Sequence, residues 1–193
     1  MARALVVYAH PVPESLNAAA HAVAIEALTA KGWDVDDCDL YAEDFNPVLS
    51  TQERRDYHNT DINIKPVQPY VDRLRAADAL ILCYPVWNFG YPAVLKGWFD
   101  RVMLPGVAFH IANGTLSPCL DNVRKLAAIS TYGSTPMRAY LAGDPPKKLF
   151  KRAVWGTVRP QKSRFIAQYG MNNITPAGCE AFLARVRSEM EAF

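Results

Sequence analysis

The stretch Ala77-Asp-Ala-Leu-Ile-Leu-Cys-Tyr-Pro-Val-Trp-Asn-Phe-Gly-Tyr-Pro92 carries the most structural information in the chain. Its first half is apolar apart from Asp78, the pattern of a central strand buried on both faces, and it predicts a strand over Ala77–Tyr84. Its second half, Pro85–Gly90, is a loop crowded with aromatic rings. Pro92 then stands where a proline suits the first turn of a helix predicted over 92–104. Strand, aromatic loop, helix: this order puts Trp87, Asn88 and Phe89 at the carboxyl end of a parallel strand, where open α/β sheets bind ligands. Aromatics on a surface loop need a partner, and a flat ring suits them.

The rest of the chain repeats the alternation. Ala4–Ala9 reads as a strand, followed by a helix over Asn17–Lys31 with Ala20, Val23, Ala24 and Leu28 on one stripe and Ser15 or Asn17 as its cap. Trp33–Leu40 is a strand polar enough for a sheet edge. Residues 41–65 form a long polar connection with a short helix at Thr51–Tyr57. A helix over Val67–Ala76 leads into the central strand. After the helix at 92–104 comes a turn-rich loop, Pro105–Asp121, and a strand at Lys125–Thr131. In 134–163 the Asp144-Pro-Pro run breaks structure, and Lys147–Trp155 suits a helix. A fifth strand at Arg164–Tyr169 and an amphipathic helix over Thr175–Glu191 close the chain.

Parallel strands need crossovers, so five strands alternating with helices predict one doubly wound parallel sheet over residues 1–193. A dinucleotide fold would carry G-x-G-x-x-G after the first strand. Here the turn is Ala9-His-Pro-Val-Pro-Glu-Ser-Leu-Asn17, without a glycine. The expected architecture is therefore the flavodoxin-like order 2-1-3-4-5, whose switch point lies between the first and third strands.

Composition narrows the partners. Hydrophobic content of 50% and a net charge of +2 describe an ordinary globular protein and disfavour nucleic acid as a bulk partner. No apolar stretch approaches the roughly 20 residues of a membrane span, and the N-terminus enters a strand without the features of a signal peptide. Cys38, Cys83, Cys119 and Cys179 show no paired spacing, which disfavours zinc or a disulfide framework and suits the reducing cytoplasm. His21, His58 and His110 have no metal spacing.

In the expected topology three loops meet. His10–Asn17 enters a helix N-terminus, which favours an anion; the plainer reading is that Ser15 and Asn17 only cap the helix. Pro85–Gly90 supplies a ring face. Ser130-Thr-Tyr-Gly-Ser134 is hydroxyl-rich, with a glycine for close approach. Together they describe a planar ring with a phosphate tail, for which flavin is the obvious candidate.

Tyr8-Ala-His-Pro11 with Ser15-x-Asn17, Asp39-Leu-Tyr-x-x-x-Phe-Asn-Pro47, Pro85-x-Trp-x-Phe-Gly90 and Pro92-Ala-x-Leu-Lys-Gly-Trp-Phe-Asp-Arg101 resemble the NAD(P)H:quinone oxidoreductases of the DT-diaphorase type over roughly 3–134. Their short bacterial members include potassium-efflux ancillary oxidoreductases and drug-activity modulators. The resemblance implies a flavodoxin-like homodimer binding FAD, with FMN as the alternative. It implies His10, Leu16 and Asn17 on the phosphate side and Pro85, Val86, Trp87, Asn88 and Phe89 around the isoalloxazine. It implies Ser130, Thr131, Tyr132 and Gly133 along the ring's pyrimidine edge, where the family often has two glycines and Tyr132 replaces one. Animal members place a tyrosine and a histidine beyond this loop; here that stretch offers Arg138 and Tyr140 as catalytic candidates and no histidine.

The implied reaction is ping-pong two-electron hydride transfer from NAD(P)H to a quinone or another flat acceptor. The basic run Lys147-Lys-x-x-Lys-Arg152 reads either as a solvated helix face or as a grip for the 2′-phosphate of NADPH. Two rivals share the fold. Electron-carrier flavodoxins tend to be acidic, against a pI near 8.3 here. A regulatory flavoprotein subunit of a potassium-efflux system is compatible with catalysis.

Overall fold

The structure is a computed structural model describing residues 1–193. Seven strands follow one another as β1 (Arg3–Tyr8), β2 (Asp34–Asp39), β3 (Ala79–Val86), β4 (Phe109–Ala112), β5 (Thr115–Pro118), β6 (Lys125–Tyr132) and β7 (Lys162–Gln168). Five of them make one parallel sheet in the order β2-β1-β3-β6-β7. The hairpin β4–β5 stands apart, so the sheet has the expected 2-1-3-4-5 winding.

The central strands are apolar throughout because both faces are covered. Along β3, Leu80, Leu82 and Tyr84 point to one face and Ala79, Ile81 and Cys83 to the other, as the two-residue period of a strand requires. The first face packs against helices α3 (Gln68–Ala76) and α4 (Ala93–Val102) through Val71, Leu74, Leu95 and Trp98. The second packs against α1 (Leu16–Ala30) and α8 (Pro176–Glu191) through Ala20, Ala24, Leu28, Phe182 and Val186. Small alanines on α1 let that helix lie close to the sheet.

The structure differs from the sequence expectation at four places. β3 runs to Val86 rather than ending at Tyr84, with Pro85 opposite Thr131 in β6. A proline is tolerated there because β1 pairs with β3 only as far as Cys83, so beyond that point one flank of β3 has no neighbour needing the missing N–H. Pro92 is the cap residue just before α4 rather than a residue of its first turn. The region beyond Gly133 is largely helical: α5 (Pro136–Leu141), then α6 (Pro145–Lys148), a π-turn over Leu149–Val154 and α7 (Trp155–Val158). The hairpin β4–β5 occupies the loop expected at 105–121 and turns at Asn113-Gly114, both with positive φ.

The long connection 41–65 is bound down by its own short helix, α2 (Thr51–Asp56), which begins in a capping box between Ser50 and Glu53. Arg101 on α4 grips this segment. It is 9% exposed, donates to Glu53 Oε1 at 2.8 Å and to the Asn46 carbonyl, and lies 5.4 Å over the Phe45 ring. Burial pushes the Glu53 carboxyl up, but the Ser50 hydroxyl and amide and the Arg101 guanidinium outweigh it and hold the group below its ordinary value. No helix is long and apolar enough to cross a membrane.

Candidate functional site

The carboxyl ends of β1, β3 and β6 bring their loops together. The His10 ring lies 5.8 Å from the Trp87 ring, tilted by 58°, which joins the first loop to the second. The Asn17 side chain donates to Thr131 Oγ1 at 3.4 Å, which joins the start of α1 to the end of β6. The thiol of Cys83 in β3 donates to Asn17 Oδ1 at 3.7 Å. The three loops singled out in the sequence are thus neighbours at one edge of the sheet.

The first loop is arranged for an anion. Ser15 caps α1, its hydroxyl accepting from the Ala18 amide at 3.0 Å, and the turn before it leaves the Leu16 and Asn17 amides without intrahelical acceptors. His10 Nδ1 accepts the Val12 amide at 3.0 Å, which leaves the proton on Nε2 as a free donor. Burial lowers the His10 pKa, so the ring is neutral at pH 7. Asn17 itself is 1% exposed, and its side chain braces the loop against Thr131.

The second loop is strained. Trp87 and Gly90 exchange two backbone hydrogen bonds, at 3.2 and 2.8 Å, around Asn88 (φ 49°) and Phe89 (φ 57°). Two consecutive positive-φ residues make the turn expected of Asn-Gly, but the second residue is a phenylalanine. Holding its side chain in the left-handed region costs about 1–2 kcal/mol. In return, Trp87 (42% exposed) and Phe89 (41%) present ring faces to solvent at the strand end. Pro85 and Val86 belong to β3 and shape the floor. Tyr91 turns inward, packing on Tyr84 at 4.7 Å and donating to the Pro146 carbonyl at 3.3 Å, so it is not part of an exposed rim.

In the third loop Ser130, Thr131 and Tyr132 still belong to β6, all nearly buried, and only Gly133 is open. Tyr132 does not fill the crevice. Its ring stacks on Tyr169 at 4.4 Å and its hydroxyl donates to Asp144 Oδ1 at 3.0 Å. The Ser130 hydroxyl is buried with no partner.

Arg138 and Tyr140 stand on α5, both exposed, and the Arg138 side chain makes no hydrogen bond or ion pair. Tyr140, 76% exposed, lines a cleft of about 290 Å³ together with Asp144, Lys147, Lys148, Lys151 and Arg152. Their helix follows the third loop directly, and of the two only Tyr140 lines this cleft. Sequence reasoning passes over a hollow of about 460 Å³ beside the first loop, lined by Tyr8, His10, His21, Asp39 and Tyr41. Its floor is a Tyr8–His21 stack at 4.1 Å, with His21 held by Asp37 at 2.9 Å. The signal was available: β1 and β2 are neighbours, so the residues that end them must meet.

Exposed aromatic rings, the start of α1 and His10 thus meet at the carboxyl edge of the parallel sheet of an α/β protein. The chain belongs to the family described as having a flavodoxin-like fold, Flavodoxin_2, which matches residues 2–190. It is 38% identical over 151 residues to NAD(P)H dehydrogenase (quinone) 1 of Rattus norvegicus, a match covering 70% of this chain and 55% of that protein. The chain thus spans little more than half the length of this relative. Smu.1420 of Streptococcus mutans UA159 superposes with a TM-score of 0.84 at 26% identity, over 99% of this chain and 100% of that one. An FMN-dependent NADH-azoreductase of Bacillus anthracis, solved with FMN, shares the fold at a TM-score of 0.80 and 14% identity, over 100% of this chain and 99% of that one.

Proposed function

We propose that this protein is a flavin-dependent NAD(P)H oxidoreductase that reduces quinones or similar flat acceptors by ping-pong hydride transfer. The observation that carries this is the meeting of three loops, seen in the His10–Trp87 contact and the Asn17–Thr131 hydrogen bond. The kinship with a quinone dehydrogenase supports it.

When bound, the flavin supplies hydride acceptance from NAD(P)H and hydride return to the acceptor. The chain's own residues supply binding and orientation. The Leu16 and Asn17 amides and His10 Nε2 hold the phosphate. Trp87 and Phe89 form the ring wall and exclude water, and the backbone at Gly133 allows close approach along the ring edge. Arg138 offers a fixed positive charge beyond the third loop and is the candidate for steadying negative charge as it develops, whereas Tyr140 faces the separate basic cleft. One crevice serving donor and acceptor in turn gives parallel-line kinetics with menadione, whereas an electron carrier gives no steady NAD(P)H turnover.

The flavin we assign is FAD, supported by the hollow beside the first loop, which leaves room beyond a first phosphate; FMN is what the azoreductase holds. Chromatography of the cofactor released by heat decides between them, and a colourless protein that takes up neither flavin overturns the reading. A homodimer is supported by the exposed Ile111 (50%) and Leu116 (55%) on the β4–β5 hairpin, and light scattering measures it.

The strained turn gives a test of the ring wall. Phe89→Gly restores the Asn-Gly pair that the turn prefers, and it is expected to raise stability by about 0.5–1 kcal/mol. It is also expected to weaken flavin binding about tenfold, by loss of a stacking face. Fluorescence titration with flavin and thermal melting read the two effects separately; flavin affinity equal to wild type removes Phe89 from the site.

A further inference from the structure

We propose that the cleft under Tyr140 is a phosphoadenosine site that selects NADPH over NADH, with Lys148 and Arg152 holding the 2′-phosphate. The proposal deepens the reductase reading and rests on it.

Lys147, Lys148, Lys151 and Arg152 fall within six residues and line one concavity, and none of them has a carboxylate within ion-pair distance. Like charges spaced three and four apart on a helical stretch repel one another, a standing cost that a bound anion relieves. The only carboxylate in the cleft is already engaged. Asp144 accepts the Tyr132 hydroxyl on one oxygen at 3.0 Å and the Tyr169 hydroxyl on the other at 3.3 Å. Its oxygens are thus held by the two tyrosines and form no ion pair with the four cations, which outnumber it in the cleft.

The geometry around the cations is also constrained. Gly143 (φ 84°) and Asp144 (φ 43°) turn the chain sharply before α6, and the Lys148 ammonium folds back over that turn. A Cβ built on Gly143 would stand 3.5 Å from Lys148 Nζ. Downstream, the π-turn over Leu149–Val154 interrupts the regular helical register, a feature common at functional positions. The Tyr140 ring, standing 76% exposed at the same cleft, offers a flat apolar face of the kind a purine stacks on.

The cleft also opens toward the residues that follow the aromatic loop. A groove of about 600 Å³ shares Gly143, Lys148 and Arg152 with it and runs to Gly90 and Tyr91, the far end of the aromatic loop. A ligand with its nicotinamide at the ring wall and its adenosine phosphate on the cations would lie along this groove. A dianionic phosphate gains two charge-assisted hydrogen bonds there that the bare 2′-hydroxyl of NADH does not.

The test uses the flavin-loaded full chain and the double variant Lys148→Ala/Arg152→Ala, both exposed residues whose loss leaves the core intact. The ratio of kcat/KM for NADPH to that for NADH, with menadione as acceptor, is expected to fall about 10- to 100-fold. Calorimetry is expected to show wild type binding 2′,5′-ADP more tightly than 5′-AMP, more weakly as salt rises, and the variant losing that preference. An unchanged ratio overturns the proposal, and so does equal binding of the two nucleotides to wild type. Failure of the wild type to oxidise either NADPH or NADH sinks the reductase reading instead. The calorimetric comparison needs no turnover and still decides the phosphate site.

Discussion

Replacing Gly97 with alanine is expected to destabilise the protein by about 3 kcal/mol or more and lower its melting temperature by roughly 10 °C. The sign is opposite to the usual one. Glycine inside a helix costs about 1 kcal/mol relative to alanine, so the exchange normally stabilises. Gly97, however, lies in the middle of α4 against the 41–65 connection, and a Cβ there would stand 2.3 Å from the Pro47 carbonyl oxygen and 2.4 Å from its Cα. Those are backbone atoms, so no rotamer change relieves the clash; α4 and the segment must separate. Because α4 begins at Ala93, directly after the aromatic loop, the shift is transmitted to Trp87 and Phe89. Scanning calorimetry measures the loss, and a melting temperature at or above wild type would show that the two backbones do not pack this closely.

Arg101→Ala is the second large expected effect, about 3 kcal/mol or more. Arg101 stands one turn along α4 from Gly97 and holds the same segment by a buried pair with Glu53 and a bond to the Asn46 carbonyl. Its removal strands the Glu53 carboxylate in a site where only 12% of its side chain is exposed, which is costlier than never having had the pair. The double variant Arg101→Ala/Glu53→Gln is therefore expected to be more stable than Arg101→Ala alone. The pH dependence has a definite sign. Glu53 has a folded-state pKa below its ordinary 4.5, so its contribution is present above that value and disappears as pH falls through the lower folded one. The stability gap between wild type and Arg101→Ala should narrow on acidification below about pH 4.5. A gap independent of pH in urea titrations would show that Arg101 acts through packing on Phe45 and not through its charge.

The alternation of strands and helices was legible because each central strand is an apolar run too short for a helix and bounded by turn residues. The absence of glycine after the first strand, together with the aromatic loop after the third, pointed to the sheet order that the structure has. Pro85 misled, since its acceptance inside β3 depends on where β1 stops, and no local sequence shows that. Asp144-Pro-Pro read as a break, yet both prolines occupy the first turn of α6, where a missing N–H costs nothing. The hairpin at 109–118 carried a usable sign in Asn113-Gly114, but its four-residue strands are too short for alternation to stand out. In the crevice, the sequence identified the loops but not which side chains face out. That Asn17 and Tyr132 turn inward follows from partners far along the chain, Thr131 and Asp144.

The placement of the cysteines also bears on the chemistry assigned to this fold. Cys83 lies beneath the crevice with no exposed surface, and burial raises its pKa; Cys38 is likewise pushed up, to about 12. Neither sulfur presents a thiolate at neutral pH, so neither is a nucleophile or an easy target for oxidants. Alkylating reagents should mark Cys119 and Cys179 well before these two. On the proposed reading, a hydride exchange at this sheet edge would proceed with no reactive sulfur within the strands that carry it.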